Sequence, residues 1–209
     1  MLVDLWPHHL VQIDPEAILI EEGDSWPVWA GASLAAAPWA VVRHGRSAPG
    51  FVAVGIRGPG RAARWGTEVS MSGVLEVRAP ESLRNCEAWD SLPDVAAVRS
   101  LRALAAGLSS TQLCWGPAGS VGFSIATGWI VCNDASDLDI VVRCSTRPQR
   151  GVLEHLAALL SRQEARVDCQ VIMPAGTAHL DDLIGEDPVL LRTHDGPYFC
   201  VDPWSREQP

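Results

Sequence analysis

The chain has 209 residues, of which 47% are hydrophobic and 20% charged, a composition typical of a globular protein that buries a sizeable core. The net charge of −9 argues against a general nucleic-acid-binding protein. All 16 basic residues are arginine, which excludes Schiff-base catalysis and a P-loop lysine, so that any bound phosphate must be held by arginine, a helix amino terminus or a metal ion.

Neither a signal peptide nor a membrane span is expected. The amino terminus shows no basic start followed by an apolar run, and no stretch approaches the roughly 18 apolar residues that a span needs. Because none of the six cysteines belongs to a CxxC pair, neither a zinc site nor a redox motif is indicated. The sequence therefore predicts reduced thiols and a cytoplasmic location without membrane attachment.

Residues 1–80 are predicted to form a small, β-rich amino-terminal domain with one short helix at most. Short apolar runs such as WAVV (39–42) and FVAVGI (51–56) are typical of strands. The segments HGRSAPG (44–50) and RGPGR (57–61) between and after them are typical of loops.

Residues 25–67 of this domain carry five arginines and no acidic residue, although the protein as a whole is acidic. The segment is therefore a candidate for binding anions, and the alternative is an ordinary solvated basic surface. The arginines are Arg43, Arg46, Arg57, Arg61 and Arg64.

Residues 81–209 show strands alternating with helices, which predicts an α/β domain with a mixed sheet and an α+β class for the whole chain. Helices are expected over 94–108 and 151–163 because leucine and valine recur there at helical spacing, and a third helix is expected to begin near 120. Strands are expected at 113–115, 138–143, 166–173 and 188–193.

The segment SDLDIVV (136–142) places Asp137 and Asp139 two residues apart at the start of an apolar strand. Alternate residues of a strand point to the same face, so the two carboxylates are expected side by side. Close carboxylates repel each other unless a cation lies between them, and Mg²⁺ prefers a few carboxylates together with phosphate oxygens. Asp137 and Asp139 are therefore candidate metal ligands and catalytic residues.

Asp168 is a third acid, in the middle of the apolar strand RVDCQVIM (166–173). If this strand lies beside residues 138–143, Asp168 completes a three-carboxylate cluster able to hold metal for an in-line displacement at phosphorus. The alternative is a structural ion pair with Arg166 or Arg143.

The segment GPAGSVGF (116–123) supplies glycines for close backbone approach, and Ser120 lies where a strand-to-helix turn would present its hydroxyl group and nearby amides. Backbone N–H groups at a helix start bind phosphates. Gly119 and Ser120 are therefore candidate substrate-binding residues.

A Gly-Ser turn followed by a DxD strand resembles the DNA polymerase β-type nucleotidyltransferase superfamily. The spacing between Ser120 and Asp137 is longer than the usual pattern, and the extra residues are predicted to form an additional turn or short hairpin.

A narrower resemblance covers most of the chain. The ordered segments VGIRGPGRAARW, WGPAGSVGFSIATG, SDLDIVV, RVDCQV and VLLRTHDGPYFCVDPW are similar to the malonate decarboxylase holo-acyl-carrier-protein synthase family, also called phosphoribosyl-dephospho-CoA transferase. The chain departs from that family at Pro7-His8-His9-Leu10, so a structural role is expected for these histidines.

The resemblance implies a reaction and its partners. The family transfers phosphoribosyl-dephospho-CoA from 2'-(5''-triphosphoribosyl)-3'-dephospho-CoA to a serine of the apo acyl carrier protein of malonate decarboxylase, and pyrophosphate leaves. Under this reading Asp137 and Asp139 hold Mg²⁺, and Asp168 is a third ligand or a base. Gly119 and Ser120 hold the triphosphate, and the loop arginines Arg57, Arg61 and Arg64 grip the donor's phosphates. Arg43 and Arg46, in a separate loop, are expected to attract the acidic carrier protein.

Two other functions remain open at this point. Another small nucleotidyltransferase that uses ATP would need the same carboxylates. A non-catalytic module that binds a nucleotide or a carrier protein would keep the fold without the chemistry.

Overall fold

A computed structural model describes residues 4–20, 25–60, 62–109, 111–185 and 188–204. The chain divides into two compact units, Met1–Ala79 and Pro80–Pro209. The predicted α+β class is confirmed, because each unit contains helical segments and its own six-stranded sheet. Within the described residues no helix has both the length and the apolar character that crossing a bilayer requires.

In the described residues of the amino-terminal unit there are six strands and one α-helix. The strands are β1 (Leu10–Ile13), β2 (Ile18–Leu19), β3 (Trp39–Val42), β4 (Phe51–Arg57), β5 (Arg64–Ser70) and β6 (Val74–Arg78), and the helix is α1 (Ala30–Ala36). The sheet has the order β2-β5-β4-β3-β1-β6, and every neighbouring pair is antiparallel. The predicted β-rich character of this region is confirmed.

The sheet of the amino-terminal unit curls around its core. Only four residues separate β1 from β2, yet these strands are four positions apart in the sheet. Strands lie about 4.8 Å apart, so a flat sheet would put β1 and β2 roughly 19 Å from each other, further than so short a link comfortably spans. The alternate residues on the concave side are buried with Leu34 of α1: Val11, Ile13, Ala40, Val42, Val54, Ile56 and Val69.

Pro7-His8-His9 leads directly into β1. His9 is buried, and its Nδ1 accepts a hydrogen bond from the backbone N–H of Trp6 at 3.4 Å. His8 has a φ of 72°, uncommon for a residue with a side chain, and its backbone N–H donates to the Val42 carbonyl. These contacts support the predicted structural role for His9.

The carboxy-terminal unit contains the second sheet. Its strands are β7 (Cys114–Pro117), β8 (Leu138–Arg143), β9 (Val167–Met173), β10 (Gly176–His179), β11 (Val189–Thr193) and β12 (Gly196–Cys200). Its helices are α2 (Ala96–Leu108), α3 (Gly119–Thr127), α4 (Arg150–Leu160) and α5 (Leu180–Ile184). The sheet order is β12-β11-β10-β9-β8-β7, and among these described strands β8 and β9 are the one parallel pair. The predicted mixed sheet is confirmed.

Helix α4 is the crossover connection that a parallel pair such as β8–β9 requires. Leu153, Leu156 and Leu160 recur on one face of this helix and are buried. On β8, Leu138, Ile140 and Val142 are fully buried, while Asp139 between them remains half-exposed. The strand therefore presents an apolar face to the core and places its carboxylate on the other face.

Residues 128–137 agree with the first of two predicted alternatives, since the extra length before Asp137 contains a turn at residues 134–135 and no hairpin. Part of that length extends α3 to Thr127. The Ser124 hydroxyl group then holds the following loop, because it accepts hydrogen bonds from the backbone N–H groups of Val131 and Cys132 at 3.0 and 3.3 Å. A side chain of the helix thus replaces the strand pairing that a hairpin would need.

Candidate active site

Four chain segments of the carboxy-terminal unit converge at one edge of its sheet. Strand β7 ends there and leads into α3, while the parallel strands β8 and β9 both begin there. Strand β10 is antiparallel to β9 and ends there with His179. The edge therefore gathers the first residues of α3, the DxD segment, Asp168 and His179.

Gly119 contacts Asp139 so closely that no side chain fits between them. A Cβ atom on Gly119 would overlap with Oδ2 of Asp139 and lie 2.5 Å from its Cγ. Gly119 also has a φ of 56°, a conformation that favours glycine. A backbone hydrogen bond stabilises this close contact, because the Ala118 N–H donates to the Asp139 carbonyl at 2.8 Å.

Ser120 is the second residue of α3 and is half-exposed beside Gly119. Among the described residues, no side chain caps the amino terminus of this nine-residue helix. The first N–H groups of a helix lack partners within the helix and carry a partial positive charge. They are thus suited to bind an anionic group next to the Asp139 carboxylate.

Asp137 lies just before β8 and is half-exposed, as is Asp139. The intervening Leu138 is fully buried, which agrees with the predicted alternation along the strand. Both aspartates therefore belong to the open side of this sheet edge.

Asp139 and Asp168 are direct neighbours across the parallel pair β8–β9. Residues in register on adjacent strands have Cα atoms roughly 4.8 Å apart, and their side chains leave the sheet on the same side. Further along the two strands, Val141 and Ile172 share this side and form a small buried cluster with Ala118. The expectation that the strand of Asp168 lies beside the DxD strand is confirmed.

Asp168 has His179 as a partner, with Nδ1 of His179 and Oδ1 of Asp168 separated by 3.0 Å. The alternative drawn from the sequence was an ion pair with Arg166 or Arg143. Arg143 forms a 2.7 Å ion pair with Glu81, and Arg166 is exposed, with its carbonyl accepting a hydrogen bond from Leu138 N. Asp168 is thus anchored by an imidazole from the neighbouring strand.

A cavity of about 400 Å³ opens beside Asp168 and His179. It continues along the end of α4 to Asp181. Cys169 also lines it and is buried, and burial, followed by the charges of Asp168 and Asp181, raises the pKa of its thiol. A buried and protonated thiol is a poor nucleophile, so Cys169 is not a candidate nucleophile at this edge.

The carboxylates fit the protein's share of a magnesium site. Within the described residues, no three His, Cys, Asp or Glu side chains form a group able to hold a metal ion on their own. Mg²⁺, however, is usually held by one or two carboxylates plus phosphate oxygens and water. Asp139 and Asp168 supply such a pair, and a three-carboxylate site that includes Asp137 stays a prediction.

The arginines predicted to bind the donor belong to the amino-terminal unit. Arg57 ends β4, Arg64 begins β5, and the two face each other across this hairpin. Arg64 donates from Nη1 to the carbonyls of Gly60 and Ala63 at 3.5 and 3.3 Å. Arg61 lies outside the described residues.

Arg43 lies closer to this hairpin than its place in the sequence suggests. Its Cδ is 3.2 Å from where a Cβ atom of Gly55 would be, and its Cζ is 3.1 Å from the corresponding point at Gly66. Gly55 and Gly66 are paired across the hairpin and share a face with Arg57 and Arg64. Arg43 therefore extends over the same face, although Arg43 and Arg46 were expected to form a separate loop site.

His179 was missed by the sequence analysis, as was the strand β10 that carries it. The segment GTAH is short, and its glycine and lone histidine carry no strand periodicity. The one available signal was a histidine two residues before the acidic pair Asp181 and Asp182, which is too common to identify a site.

Two family models cover nearly the whole chain. Residues 82–203 match the phosphoribosyl-dephospho-CoA transferase MdcG C-terminal domain, and residues 6–80 match the corresponding N-terminal domain. The boundary between the matches falls beside the division of the structure after Ala79.

Several bacterial proteins named phosphoribosyl-dephospho-CoA transferase are similar to the chain over most of its length. The protein of Pseudomonas putida strain W619 is 36% identical over 203 residues, which cover 95% of both chains. The protein of Pseudomonas aeruginosa PAO1 is 33% identical and covers 95% of this chain and 93% of its own length. That of Azotobacter vinelandii is 32% identical over 85% of both. No solved structure matches the chain.

Proposed function

Because the chain belongs to the phosphoribosyl-dephospho-CoA transferase family, we propose that it transfers this group from 2'-(5''-triphosphoribosyl)-3'-dephospho-CoA to a serine of an apo acyl carrier protein. The acceptor we propose is the carrier subunit of malonate decarboxylase. The structural observation that carries the proposal is the pairing of Asp139 with Asp168 beside the amino terminus of α3.

The proposed reaction is a displacement at the α-phosphorus of the donor's triphosphate. The serine oxygen of the carrier forms a bond to this phosphorus, and the bond from phosphorus to the bridging oxygen of pyrophosphate breaks. The serine loses its proton, and pyrophosphate leaves with the electron pair. Phosphoryl transfer of this kind needs positioning and charge stabilisation more than covalent help from the protein.

The aspartates are proposed to act together at this reaction centre. Asp137, Asp139 and Asp168 would hold Mg²⁺, and Asp139 and Asp168 are the pair in direct register. The ion, when bound, neutralises charge on the phosphate oxygens and stabilises the departing pyrophosphate. Asp168 lines the adjoining cavity, so it is also a candidate to accept the serine proton.

The start of α3 is proposed to hold the triphosphate. Gly119 brings the backbone close to Asp139, and Ser120 adds a hydroxyl group at the same place. Helix amino termini bind phosphates through their N–H groups and their partial positive charge. This arrangement directs the anionic donor towards carboxylates that would otherwise repel it.

The arginines of the amino-terminal unit are proposed to bind the rest of the donor and the carrier. Arg57, Arg61 and Arg64 surround the GPG turn and offer the forked guanidinium groups that suit phosphates. Arg43 and Arg46 would attract an acidic carrier protein to this enzyme, whose own net charge is also negative.

The proposed location is the cytoplasm. All six cysteines are free in the structure, as the sequence predicted, and this agrees with a compartment that keeps thiols reduced.

A single reconstitution tests the proposed function. The purified chain is incubated with apo carrier protein, the triphosphoribosyl donor and MgCl₂, and the mass of the carrier is measured. We expect the carrier to gain one phosphoribosyl-dephospho-CoA group, with pyrophosphate released in equal amount. A carrier that stays unmodified by an otherwise folded chain would contradict the proposal.

Parallel samples separate the other two functions. An ATP-dependent nucleotidyltransferase would modify an acceptor when ATP replaces the donor, whereas we expect no modification with ATP. A binding module would bind the donor or the carrier in a titration without any mass change. Omitting Mg²⁺ from the complete mixture is expected to abolish transfer, and full transfer with excess EDTA would contradict the metal assignment.

A further inference from the structure

We infer that His179 is a positioning residue that fixes the carboxylate of Asp168 for the proposed transfer. The contact that carries this inference is the 3.0 Å separation between Nδ1 of His179 and Oδ1 of Asp168. The inference rests on the proposed function, since the orientation of Asp168 matters only if this carboxylate faces the metal or the reacting groups.

The position of Gln170 favours the tautomer of His179 that carries its hydrogen on Nδ1. Its Nε2 lies 3.4 Å from Nε2 of His179, and an amide nitrogen is a donor, so the imidazole accepts at Nε2. The ring then carries its hydrogen on Nδ1 and donates it to Asp168. Gln170, His179 and Asp168 thus form one chain of hydrogen bonds on the same side of β9 and β10.

This series of hydrogen bonds counteracts the repulsion between two carboxylates that the register of the strands brings together. Asp139 and Asp168 are neighbours, and two carboxylates in close reach turn away from each other unless they are held. A hydrogen bond to Oδ1 fixes the carboxylate plane of Asp168 and leaves Oδ2 available.

The backbone around His179 does not need the imidazole for its own structure. His179 is the residue before the first turn of α5, a position where side chains often cap a helix, yet its side chain forms no capping hydrogen bond. Buried neighbours anchor the segment instead, since Ala178 and Leu180 are 0% and 2% exposed. Side-chain substitutions at 179 are therefore expected to leave the fold intact.

Three substitutions of His179 distinguish a positioning role from an effect of side-chain size. In His179→Asn the amide nitrogen takes the place of Nδ1 and can still donate to Asp168. In His179→Gln the donor moves to the position of Nε2, and in His179→Ala it is lost. Outer hydrogen-bond partners of metal ligands typically contribute about ten- to a hundredfold in metal affinity or activity.

The decisive measurement is the affinity for Mn²⁺ alone, followed by electron paramagnetic resonance, together with kcat for transfer. We expect His179→Ala and His179→Gln to lose about tenfold or more in both quantities, and His179→Asn to recover most of the loss. The melting temperatures of all variants should stay close to that of the wild type. His155→Ala, at an exposed histidine of α4, is the matched control and should change neither quantity.

The pattern of rescue decides the outcome. Asparagine, glutamine and alanine variants that behave alike would overturn the inference, and so would unchanged Mn²⁺ affinity in His179→Ala. If His179→Ala fails to fold, Gln170→Leu tests the same chain, because it removes the donor to Nε2 and should also weaken Mn²⁺ binding.

The proposed function fails separately. If the wild type transfers no group to the carrier, the proposed function is wrong. If the wild type is active and Asp139→Asn is inactive, but the His179 variants match the wild type, only the positioning role is wrong.

Discussion

The acidic sheet edge of the carboxy-terminal unit and the arginine hairpin of the amino-terminal unit are built in opposite ways. At the edge, Asp139 lies against a glycine with no spare volume, and Asp168 is held by His179. On the hairpin, Arg64 is exposed and Arg57 is half-exposed. Bond-making chemistry needs fixed geometry, whereas attraction of a charged ligand tolerates flexible side chains. Substitutions should therefore reduce turnover at the edge and affinity at the hairpin.

The largest effect is expected from Asp139→Asn, with Asp137→Asn close behind. The asparagine keeps the shape but removes a charge from the proposed metal site, so kcat should fall about a hundredfold or more. Thermal unfolding should be nearly unchanged because both side chains are half-exposed.

The carrier's mass gain over time measures this effect. Asp134→Asn is the matched control, at an exposed position of the same acidic loop, and should stay active. Near-normal turnover of Asp137→Asn or Asp139→Asn at limiting Mg²⁺ would remove that residue from the site.

Gly119→Ala is expected to have the next largest effect. The new methyl group would displace the Asp139 carboxylate, and a displacement near 1 Å can cost about a hundredfold in rate. The left-handed backbone adds about 1 kcal/mol or more of strain.

Gly128→Ala separates these two causes. Gly128 also has a positive φ, of 72°, but a Cβ atom there would meet nothing within 4 Å. It should lower the melting temperature and leave kcat intact. Equal losses of activity in both variants would show that backbone strain, and not contact with Asp139, explains the Gly119 effect.

The hairpin arginines should change KM more than kcat. Arg57→Ala or Arg64→Ala is expected to raise the donor KM about tenfold, within the range for one charge-assisted hydrogen bond. Arg162→Ala, at an exposed arginine of the other unit, is the control. Steady-state kinetics at varied donor and carrier concentrations would measure KM and kcat. If both are unchanged, the hairpin arginines form an ordinary solvated surface.

Arg43 offers a finer version of the same experiment. A role in attracting the carrier predicts a higher carrier KM and a defect that shrinks at high salt, where charges are screened. A role in binding the donor predicts a higher donor KM, as for Arg57. Because Arg43 lies over Gly55 and Gly66 of the hairpin, a comparison of Arg43→Ala with Arg46→Ala distinguishes the two roles.

The smallest effect is expected from alkylation of the thiols in the carboxy-terminal unit. Burial raises the pKa of Cys169, so this thiol stays protonated to a higher pH than it would in the unfolded chain. Its contribution to stability is therefore present below the unfolded pKa and is lost as the pH rises above it. At pH 8 iodoacetamide should label the exposed Cys114 and spare Cys169, as peptide mass mapping would show. Labelling of both at similar rates would mean that the edge opens readily.

Much of the candidate site could be predicted from short stretches of sequence. The strand at 138–143 follows from a run of apolar residues, and the carboxylate face of the DxD segment follows from an alternation over only four positions, 137–140. The glycine-serine turn likewise contains its own signals. Strand β10 escaped prediction because four residues beginning with glycine carry no such pattern.

Contacts between distant segments could not be predicted in this way. Asp168 was expected near the DxD strand, but its register opposite Asp139 depends on how β9 packs, and a shift of one residue would turn it to the other face. Arg43 was assigned to a separate loop because it is distant in sequence from Arg57. Strand pairing brought it across the hairpin instead.

The sequence by itself determined the α+β class, the family and the identity of the carboxylates, because periodicity, composition and motif order are properties of consecutive residues. Tertiary structure alone decided that Gly119 packs directly against Asp139, that Asp168 lies beside Asp139, and that His179 contacts Asp168. These contacts join residues that are 11 to 29 positions apart, and they arise from the packing of strands against one another. Local sequence patterns encode which face a side chain occupies, and only the assembled sheet selects its neighbour.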